Sequence, residues 1–442
     1  MQNIDSLLLP SWVVPVIPNN VFYKDYAVAI DKGRIVDVLL AEKAKEKYQA
    51  ASVVSLPEHV LMPGLVNAHT HSPMTLLRGV ADDLPFMTWL FDYILPLEDK
   101  WGDEEFVRDG MEFALAEMLL SGTTCFHEQY FLPQVMTDVV VNANARACIG
   151  MVVVSLKSKW ANDVEDYIAK HLQFYKKYQN APLIKINFAP HAPYSVDDKT
   201  LLTLKKLAKE MNLTIQMHVH ESEAEITESL EKFGKRPLKR LHDLGMFEVP
   251  FLAVHMVQLN DEDLALLKKN PNVNVLHCPK SNLKIGNGIC PISKILKQGT
   301  NVAIGTDGAA SNNVLDMFEE MRFAALLAKG DSRDPTTVSA ALALQMATIN
   351  GARALGLDKE IGSIEIGKAA DLITVDLSFY NTQPVTNPIS HLVYAVNSRQ
   401  VSDVWIAGKR IVQNRALTTL DREKMLAKAK RWSEKISADL PH

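Results

Sequence analysis

The stretch "MPGLVNAHTHSP", from Met62 to Pro73, holds two histidines directly after residues with the pattern of a short buried strand. Side chains alternate between the two faces of a strand, so residues i and i+2 point the same way. We therefore predict that His69 and His71 project together at the carboxyl end of a strand. Two imidazoles aimed at one point are either part of a metal site or a coincidence, and the rest of the chain distinguishes these alternatives.

Short β-rich segments recur along the chain, separated by amphipathic stretches such as "EEFVRDGMEFALAEMLLSG" and "DDKTLLTLKKLAKEMN" with apolar residues at helical spacing. Strands that alternate with helices indicate a parallel sheet, and eight such units indicate an α/β fold, a closed (β/α)8 TIM-type barrel. The predicted strands are Leu65–His69, Thr123–Phe126, Ala147–Ser155, Leu183–Ala189, Thr214–Val219, Phe251–His255, Val273–His277 and Val302–Thr306.

The two ends of the chain have a different pattern. "YKDYAVAIDKGRIVDVLL" predicts two strands joined at Asp31–Gly33, and "GSIEIGKAADLITVDL" and "SDVWIAGKRIVQN" predict further hairpins with Gly367 and Gly408 at the turns. Isolated hairpins are only marginally stable, so we predict that the ends pair into a small flanking β-sandwich domain built from both termini. The predicted domains are this discontinuous β-domain, residues 1–63 and 365–442, and a metal-dependent catalytic barrel, residues 64–364.

Composition excludes several classes of function. The 442 residues carry a formal net charge of −5 and form no basic patch, so we expect no binding to nucleic acid or to an anionic membrane. The N-terminal segment lacks the features of a secretion signal, and no apolar run is long enough to span a bilayer. The four scattered cysteines, without a Cys-x-x-Cys pair, favour a reducing cytoplasm. We therefore expect a cytoplasmic protein.

Functional residues of a barrel of this type lie at the carboxyl ends of its strands. Besides the histidines of the first strand, those ends carry polar side chains that suit a divalent ion such as Zn²⁺. Three imidazoles and a carboxylate at one end of a barrel therefore predict a metal centre. The candidate side chains are His69 and His71 from strand 1, His218, His220 and Glu221 from strand 5, His255 from strand 6, and Asp307 from strand 8.

The segments "NAHTHSP", "APHAPYS", "MHVHESEAE", "VHMVQL", "HCPKSNLKIGNG", "GTDGAASNN" and "GKAADLITVD" occur in this order along nearly the whole chain. Together they resemble the amidohydrolase superfamily, and within it the 5-methylthioadenosine/S-adenosylhomocysteine deaminases. The resemblance implies a metal-dependent hydrolytic deamination of the adenine ring of such a nucleoside, to the inosine analogue and ammonia, in a homodimer or homotetramer. It also implies that a divalent metal, usually zinc, is bound by His69, His71, His218 and Asp307.

Superfamily members with two metals use a lysine at the end of strand 4 as a bridge between the ions. Here that strand ends in "FAPHAPYS", with His191, and Lys185 lies near its start. This difference favours one metal ion per subunit. His220 shares the face of His218 by spacing, but the resemblance makes only His218 a ligand, so we expect His220 to pack or to support the ligands. His277 is not assigned to the site.

A metal-dependent attack of water on C6 of adenine needs groups that handle protons, because a bound divalent metal only lowers the pKa of water from about 16 towards 7. We expect Asp307 to accept the proton of the water and Glu221 to protonate ring nitrogen N1. We expect His255 to orient the attacking oxygen. Glu221 and Asp307 thereby also contact the substrate, and removal of such a proton-transfer group costs about 10²–10⁴ in rate.

The long segment after strand 1, "LLRGVADDLPFMTWLFDYILPLE", is expected to cover the site. Trp89 is a candidate for an apolar wall against the substrate. The resemblance assigns Glu98 to the ribose hydroxyls, since a carboxylate accepts a hydrogen bond at each oxygen, and His191 to the nucleoside. Some relatives carry an arginine after strand 3 for a homocysteine carboxylate. Here only Arg146, Lys157 or Lys159 could replace it, which favours methylthioadenosine.

Two alternatives remain open. One is a related deaminase or dechlorinase that acts on guanine, cytosine or a triazine, although Glu98 favours a substrate with a ribose diol. The other is a non-catalytic amidohydrolase-like scaffold that binds partners. The zinc deaminases with a Pro-Cys-x-x-Cys ligand pair are excluded, because the motif is absent from the sequence.

Overall fold

The structure is a computed structural model that describes residues 1–440, and the strands of these residues form two separate sheets. The strands are β1 Gln2–Val13, β2 Tyr23–Lys24, β3 Tyr26–Asp31, β4 Arg34–Leu40, β5 Tyr48–Pro63, β6 Leu65–Thr70, β7 Thr123–Tyr130, β8 Arg146–Val153, β9 Ile184–Pro190, β10 Ile215–Val219, β11 Phe251–His255, β12 Val273–His277, β13 Val302–Ile304, β14 Leu372–Asp376, β15 Val401–Ile406, β16 Lys409–Gln413 and β17 Ala416–Leu417.

The helices alternate with the strands in the middle of the chain. Short 3₁₀ segments lie at Ser72–Leu77, Met246–Glu248, Tyr380–Thr382 and Ser398–Gln400, and a π-helical turn lies at Trp89–Ile94. The α-helices are α1 Ala41–Lys47, α2 Phe86–Thr88, α3 Leu95–Trp101, α4 Glu104–Leu120, α5 Pro133–Asn142, α6 Val164–Tyr178, α7 Asp198–Met211, α8 Glu223–Phe233, α9 Pro237–Asp243, α10 Asp261–Lys269, α11 Pro279–Lys284, α12 Ile292–Lys297, α13 Ala309–Asn312, α14 Met317–Ser332, α15 Ala340–Met346, α16 Ile349–Ala354, α17 Pro388–Tyr394 and α18 Arg422–Ser437.

The strands β6 to β13 form a (β/α)8 barrel, as predicted. Their order in the sheet follows the chain, and the pairs from β8 to β13 are parallel. After β13 the backbone N–H of Asp307 donates to the carbonyl of His69 at 3.0 Å, so the last strand returns beside the first. All residues of β6, β7 and β8 are buried, which is typical of strands covered on both faces. The carboxyl ends of the eight strands therefore meet at one mouth.

Four helices of the barrel begin at a residue whose side chain caps the first turn. Asp163, Asp197, Ser222 and Asn260 each accept a hydrogen bond from the backbone N–H three residues further on. Such a cap satisfies a backbone donor that the helix itself leaves unpaired, and its loss costs about 1 kcal/mol. The capped ends fix where α6, α7, α8 and α10 begin, and with them the lengths of the loops at the mouth.

The second sheet joins both ends of the chain, as expected for the flanking domain. Its order is β17–β16–β15–β14–β5–β1–β3–β4, with β2 paired to β1. The strand β5 joins the N-terminal strands to the C-terminal strands, because it pairs in parallel with β1 on one side and antiparallel with β14 on the other. Hydrogen bonds thus link strands from both termini into one mixed sheet. Apolar side chains of this sheet form a core that includes Leu8, Val28, Ile30, Leu61 and Trp405.

Two of the predicted terminal hairpins are confirmed. The turn between β3 and β4 has Lys32 at φ 50° and Gly33 at φ 76°, and the turn between β15 and β16 has Ala407 at φ 48° and Gly408 at φ 76°. Positive φ at both central residues matches the right-handed twist of the strands, which is why such turns favour glycine.

The predicted hairpin around Gly367 is wrong in its first half. Only β14 is a strand, and the segment before it runs along the start of β4 instead of pairing with β14. The N–H of Gly367 donates to the carbonyl of Ile35 at 2.8 Å, and the N–H of Ile35 donates to the carbonyl of Lys368 at 2.9 Å. Gly367 does lie at a turn, as predicted, but the segment before β14 pairs with a strand that is distant in sequence.

The described residues divide into two compact units, residues 1–67, 116–125 and 316–420 in one, and 68–115, 126–315 and those from Asp421 on in the other. This grouping differs from the predicted boundaries of 1–63 with 365–442 and 64–364, which stay a prediction about folding domains. The C-terminal helix α18 belongs to the second unit. There Trp432 packs on Phe106, with ring centroids 5.4 Å apart, and its indole N–H donates to Asp109 at 2.9 Å.

Within residues 1–440, none of the helices combines the length and the apolar composition that a membrane crossing requires.

Candidate metal centre and active site

The carboxyl ends of the barrel strands bring together the imidazoles and the carboxylate that the sequence singled out. One group of donor atoms comes from His69, His71 and Asp307, and a second comes from His69, His218 and His255. Within each group, all donor atoms lie within 4.8 Å of one another. The two groups share His69, which is fully buried. The structure therefore places the four predicted ligands in one cluster, with His255 beside it.

The distances between donor atoms in this cluster suit the tetrahedral coordination of a cation. Nε2 of His69 lies 3.1 Å from Nε2 of His218 and 3.5 Å from Oδ1 of Asp307. Nε2 of His71 lies 3.3 Å from the same Oδ1. Ligand atoms about 2.0–2.2 Å from a zinc ion, at tetrahedral angles, are about 3.3–3.6 Å apart. The donor set fits a divalent metal without rearrangement.

Hydrogen bonds to the far side of two imidazoles fix which nitrogen faces the cluster. Nδ1 of His69 lies 2.8 Å from Oε1 of Gln216, whose amide nitrogen donates to the carbonyl of Ala68 at 3.3 Å. Nδ1 of His71 lies 2.6 Å from the carbonyl oxygen of Gln129. Both Nδ1 atoms therefore carry the proton, and each Nε2 presents a lone pair to the cluster. Lone pairs that converge in this way suit a cation between them.

The surroundings also favour the ionisation states that metal ligands need. Burial, together with the neighbouring His69, lowers the pKa of His71 to about 4. Burial likewise lowers the pKa of His218. The pKa of the Asp307 carboxyl is held well below its usual value by the surrounding imidazoles, although burial acts in the opposite direction. Near neutral pH His71 and His218 are thus neutral and Asp307 is ionised, as metal ligands need to be.

Several residues at the strand ends have a left-handed backbone. His220, His255 and Asp307 have φ values of 56°, 73° and 64°. This region is uncommon for residues other than glycine, and such strained positions cluster at functional sites. At His220 the left-handed backbone breaks the alternation of the strand, so that its ring does not share the direction of His218.

His220 is consequently a packing residue, as expected. Its Nδ1 lies 2.9 Å from the carbonyl of Gln258, and its Nε2 accepts the N–H of Leu238 at 3.0 Å. His277 is buried at the end of β12 and belongs to neither group of candidate ligands among the described residues. Lys185 is the second residue of β9, at the end of the strand opposite the mouth. Among residues 1–440, no lysine therefore stands at the carboxyl end of β9, where a bridge between two metals would need one.

The side chain predicted to donate a proton, Glu221, and the one predicted to orient the attacking oxygen, His255, lie next to the cluster. Glu221, 8% exposed, has Oε1 at 3.7 Å from Nε2 of His255. Burial raises the pKa of Glu221, which favours the protonated form that a general acid needs. Nδ1 of His255 lies 2.9 Å from Oδ1 of Asn282. A carboxyl group and an imidazole thus face the same space beside the cluster.

A cavity of about 450 Å³ opens onto this space, and its walls include His71, His218, Glu221, His255 and Asp307. This volume is within the range of small-ligand sites, about 300–1,000 Å³. The remaining predicted substrate residues, Trp89, Glu98 and His191, also line the cavity.

The segment after strand 1 contributes apolar side chains to the cavity. Phe86, Trp89 and Leu90 line it, whereas Met87 is not among the lining residues and is 49% exposed. Behind Glu98, the hydroxyl of Tyr130 donates to Oε1. Burial raises the pKa of Glu98 to about 7. The carboxylate is therefore held in place at the cavity and is near the midpoint of its titration at neutral pH.

Of the three cations considered for a homocysteine tail, two reach the cavity. Lys157 and Lys159 line it, and Nζ of Lys159 donates to the carbonyl of Lys100 at 2.6 Å. Arg146 is the first residue of β8, at the end opposite the mouth, and is buried there. Arg146 is therefore excluded from contact with the substrate.

The sequence did not reveal the residues that support the cluster. Gln216 precedes His218 by two positions on β10, and this spacing was a usable signal. Ser281 and Asn282 follow the end of β12, inside a segment noted for its resemblance but not assigned a role. Ser281 Oγ donates to Oδ2 of Asp307 at 2.5 Å, and Ser311 Oγ donates to the same atom at 2.9 Å.

Comparison with known proteins adds three findings. The chain is 46% identical over 435 residues to a 5-methylthioadenosine/S-adenosylhomocysteine deaminase of Teredinibacter turnerae, covering 98% of each chain. A zinc-bound crystal structure of an adenosine deaminase from Xanthomonas campestris is 45% identical, with a TM-score of 0.97 and 99% of each chain covered. An atrazine chlorohydrolase of Arthrobacter aurescens, 21% identical with a TM-score of 0.90, covers 97% of this chain and 99% of its own and shares the fold.

The sequence model of the amidohydrolase family matches residues 60–411, which include the barrel and every side chain of the cluster. With this match, and with the identity to the deaminase of Teredinibacter turnerae over nearly the full length of both chains, the chain belongs to the amidohydrolase family.

Proposed function

We propose that this chain is a metal-dependent hydrolase that deaminates the adenine ring of 5′-methylthioadenosine, S-adenosylhomocysteine or both, to the inosine analogue and ammonia. The observation that carries the proposal is the cluster of His69, His71, His218 and Asp307 at a cavity that Glu98 also lines. The relatives at 45–46% identity, an adenosine deaminase and a 5-methylthioadenosine/S-adenosylhomocysteine deaminase, support the substrate class.

His69, His71, His218 and Asp307 would hold one divalent ion per subunit, and the zinc-bound relative supports zinc. A water molecule would complete the ligands of this ion. When bound, the ion makes water acidic enough to supply hydroxide near neutral pH. A lysine that bridges two ions would stand at the carboxyl end of β9. This strand ends without a lysine there and is followed by His191, which supports a single ion.

The proton-handling groups surround the reacting atoms. Asp307, ionised and held by two hydroxyl groups, accepts the proton of the attacking water. Glu221, whose pKa is raised by burial, donates a proton to N1 as C6 becomes tetrahedral. His255 accepts a hydrogen bond from the attacking oxygen at Nε2 and so orients it. After water adds to C6, the amino nitrogen takes the proton that Asp307 holds, and the C6–N bond breaks to release ammonia. The proton of the new hydroxyl group returns to Glu221 as the C6 carbonyl forms.

The nucleoside is bound by the residues at the other walls of the cavity. Glu98 accepts a hydrogen bond from each of the two ribose hydroxyls, one at each carboxylate oxygen. His191, whose ring centroid is 5.0 Å from that of His218, contacts the nucleoside beside the metal. Trp89, 7% exposed, supplies an apolar surface. Among residues 1–440 the cavity is lined by lysines but by no arginine for a homocysteine carboxylate, so we rank methylthioadenosine above S-adenosylhomocysteine as substrate.

A substrate panel tests the proposal on purified, zinc-loaded protein, with ammonia release and the ultraviolet change from adenine to hypoxanthine as readouts. The panel contains methylthioadenosine, S-adenosylhomocysteine, adenosine, guanine, cytosine and a chlorotriazine. We expect turnover of the adenosine thioethers. Activity only on a free base or on the triazine would replace this substrate class by the related deaminase or dechlorinase. Inactivity on every compound, with metal bound, would favour a non-catalytic scaffold.

Replacement of Glu98 by alanine should lower kcat/KM for nucleosides that carry the ribose diol and leave it nearly unchanged for those that lack it. Two hydrogen bonds to a charged acceptor are worth about 1.5 kcal/mol each or more, so Glu98→Ala should lower kcat/KM for adenosine roughly 100-fold. For 2′,3′-dideoxyadenosine, which has no diol, the same variant should change kcat/KM little. Glu104→Ala, at an exposed acid of α4, is the matched control. Equal losses on both nucleosides would disprove the role of Glu98.

The raised pKa of Glu98 predicts a pH dependence of binding. With a pKa of about 7, Glu98 loses its charge and one acceptor as the pH falls below 7, so kcat/KM for nucleosides should decrease on the acidic side. The limit is about tenfold per pH unit. Glu98→Gln, which does not titrate, should lack this decrease. An identical acidic limb in both proteins would assign it to another group.

We further propose that the chain works in the cytoplasm as a homodimer or homotetramer, without nucleic-acid or membrane partners. The four cysteines are few, scattered and without a Cys-x-x-Cys pair, which supports a reducing compartment. Light scattering of the purified protein tests the state of assembly.

A further inference from the structure

The segment Ser281–Asn287, which begins four residues after β12 ends, hydrogen-bonds to all three side chains that handle protons in the proposed function. Ser281 Oγ donates to Oδ2 of Asp307 at 2.5 Å. Oδ1 of Asn282 lies 2.9 Å from Nδ1 of His255. Further along, Nδ2 of Asn287 donates to Oε1 of Glu221 at 3.3 Å. These three side chains come from three different strand ends, and one short segment contacts them all.

Backbone hydrogen bonds make this segment compact. The N–H of Asn282 donates to the carbonyl of Cys278 at 3.0 Å, within α11, and the N–H of Asn287 returns to the carbonyl of Asn282 at 2.9 Å. The amide of Gln258 donates to the carbonyl of Asn287 at 2.7 Å. The two asparagines are thus tied to each other and to the loop after β11, so that they hold fixed positions relative to the site.

The same segment contacts the long loop after β6. Nζ of Lys284 lies 2.6 Å from Oδ1 of Asp82 and 3.1 Å from the carbonyl of Ala310. Ile285 lines the cavity. The segment therefore joins the loop that covers the cavity to the side chains beneath it.

The contact with Asn282 decides the tautomer of His255. An amide oxygen can only accept, so Nδ1 of His255 carries the proton, and its Nε2 presents a lone pair towards the cavity and Glu221. That lone pair is what the attacking water needs as an acceptor. Asn282 is 1% exposed, and no solvent is available to replace its oxygen.

We propose that Asn282 and Asn287 are positioning residues of the deamination, which set the tautomer of His255 and the placement of the Glu221 carboxyl. The inference rests on the proposed function, because it assigns these residues to the same reaction. It extends that function from the cluster at the strand ends to a segment that contributes no metal ligand.

Two substitutions at one position test the acceptor. Asn282→Leu keeps the approximate size and removes the oxygen, and Asn282→Asp keeps an acceptor. We expect Asn282→Leu to lower kcat for methylthioadenosine about 10–100-fold, as supporting partners of metal-site groups commonly do, with KM and bound zinc unchanged. Asn282→Asp should recover most of the lost kcat. A donor role of Asn282 would leave Asn282→Asp as impaired as Asn282→Leu and would overturn the assignment.

Asn287→Ala provides a second test at a partly exposed position, where folding is less at risk. It too should lower kcat and leave KM and zinc content unchanged. The matched control is Asn274→Leu, on β12 at the end away from the mouth, which should retain the wild-type kcat. Wild-type kcat in both Asn282→Leu and Asn287→Ala would refute the inference. Failure of the wild-type protein to deaminate any nucleoside would instead refute the proposed function.

Discussion

Glu221→Gln is expected to retain its metal and lose most of its turnover. Glutamine has nearly the same shape but cannot deliver a proton to N1, and loss of a positioned acid costs about 10²–10⁴ in rate. The side chain of Glu221 is not among the donors of the His69, His71 and Asp307 group. Zinc content measured by metal analysis should therefore equal that of the wild type, while kcat for methylthioadenosine falls.

The neighbouring acid Glu223 supplies the control for this variant. It is exposed at the first turn of α8, two residues further on, and Glu223→Gln should have the wild-type kcat. Full activity of Glu221→Gln would remove Glu221 from the reaction. A loss of zinc together with activity would show that Glu221 supports the metal rather than the proton transfer.

Removal of the metal should abolish turnover entirely. Without it the attacking water has its ordinary pKa of about 16, and no side chain of the cavity compensates for that. Protein treated with a chelator should be inactive, and activity should return linearly with added Zn²⁺ up to one equivalent per chain. A break at two equivalents would contradict the proposed single ion.

The same titration on a ligand variant identifies the site. Replacing a residue that only hydrogen-bonds to a metal ligand lowers metal affinity about 10–100-fold. His218 is itself a predicted ligand, so His218→Ala should lower zinc affinity by more than about 100-fold. His242→Ala, at a partly exposed histidine of α9, should take up zinc like the wild type. Wild-type zinc affinity and turnover in His218→Ala would place the metal elsewhere.

The periodicity of the sequence was sufficient to predict the barrel. All eight predicted strands occur, with ends that differ by up to four residues, for example Thr123–Tyr130 where Thr123–Phe126 was expected. Buried parallel strands are continuous apolar runs between amphipathic helices, and this pattern is local. The candidate ligands could be found for the same reason, because each one stands where an apolar run ends.

Contacts between segments distant in sequence could not be predicted in this way. The segment before β14 has the pattern of a strand, yet it pairs beside β4, and its partner lies more than 300 residues away in the chain. Likewise α18 packs Trp432 against Phe106. Amphipathicity shows that a face is buried, but it does not identify the surface that covers it.

Local patterns in the chain were enough to predict the order of strands and helices and the family. They also marked the strand ends that carry His69, His71, His218, His255 and Asp307. The folded barrel was needed to show which nitrogens of His69 and His71 face the cluster, that His220 turns away, and that Asn282 and Asn287 hydrogen-bond to His255 and Glu221. The reason is physical. Alternation along a strand is a property of neighbouring residues, whereas hydrogen-bond partners and left-handed backbone positions arise only when several strand ends meet.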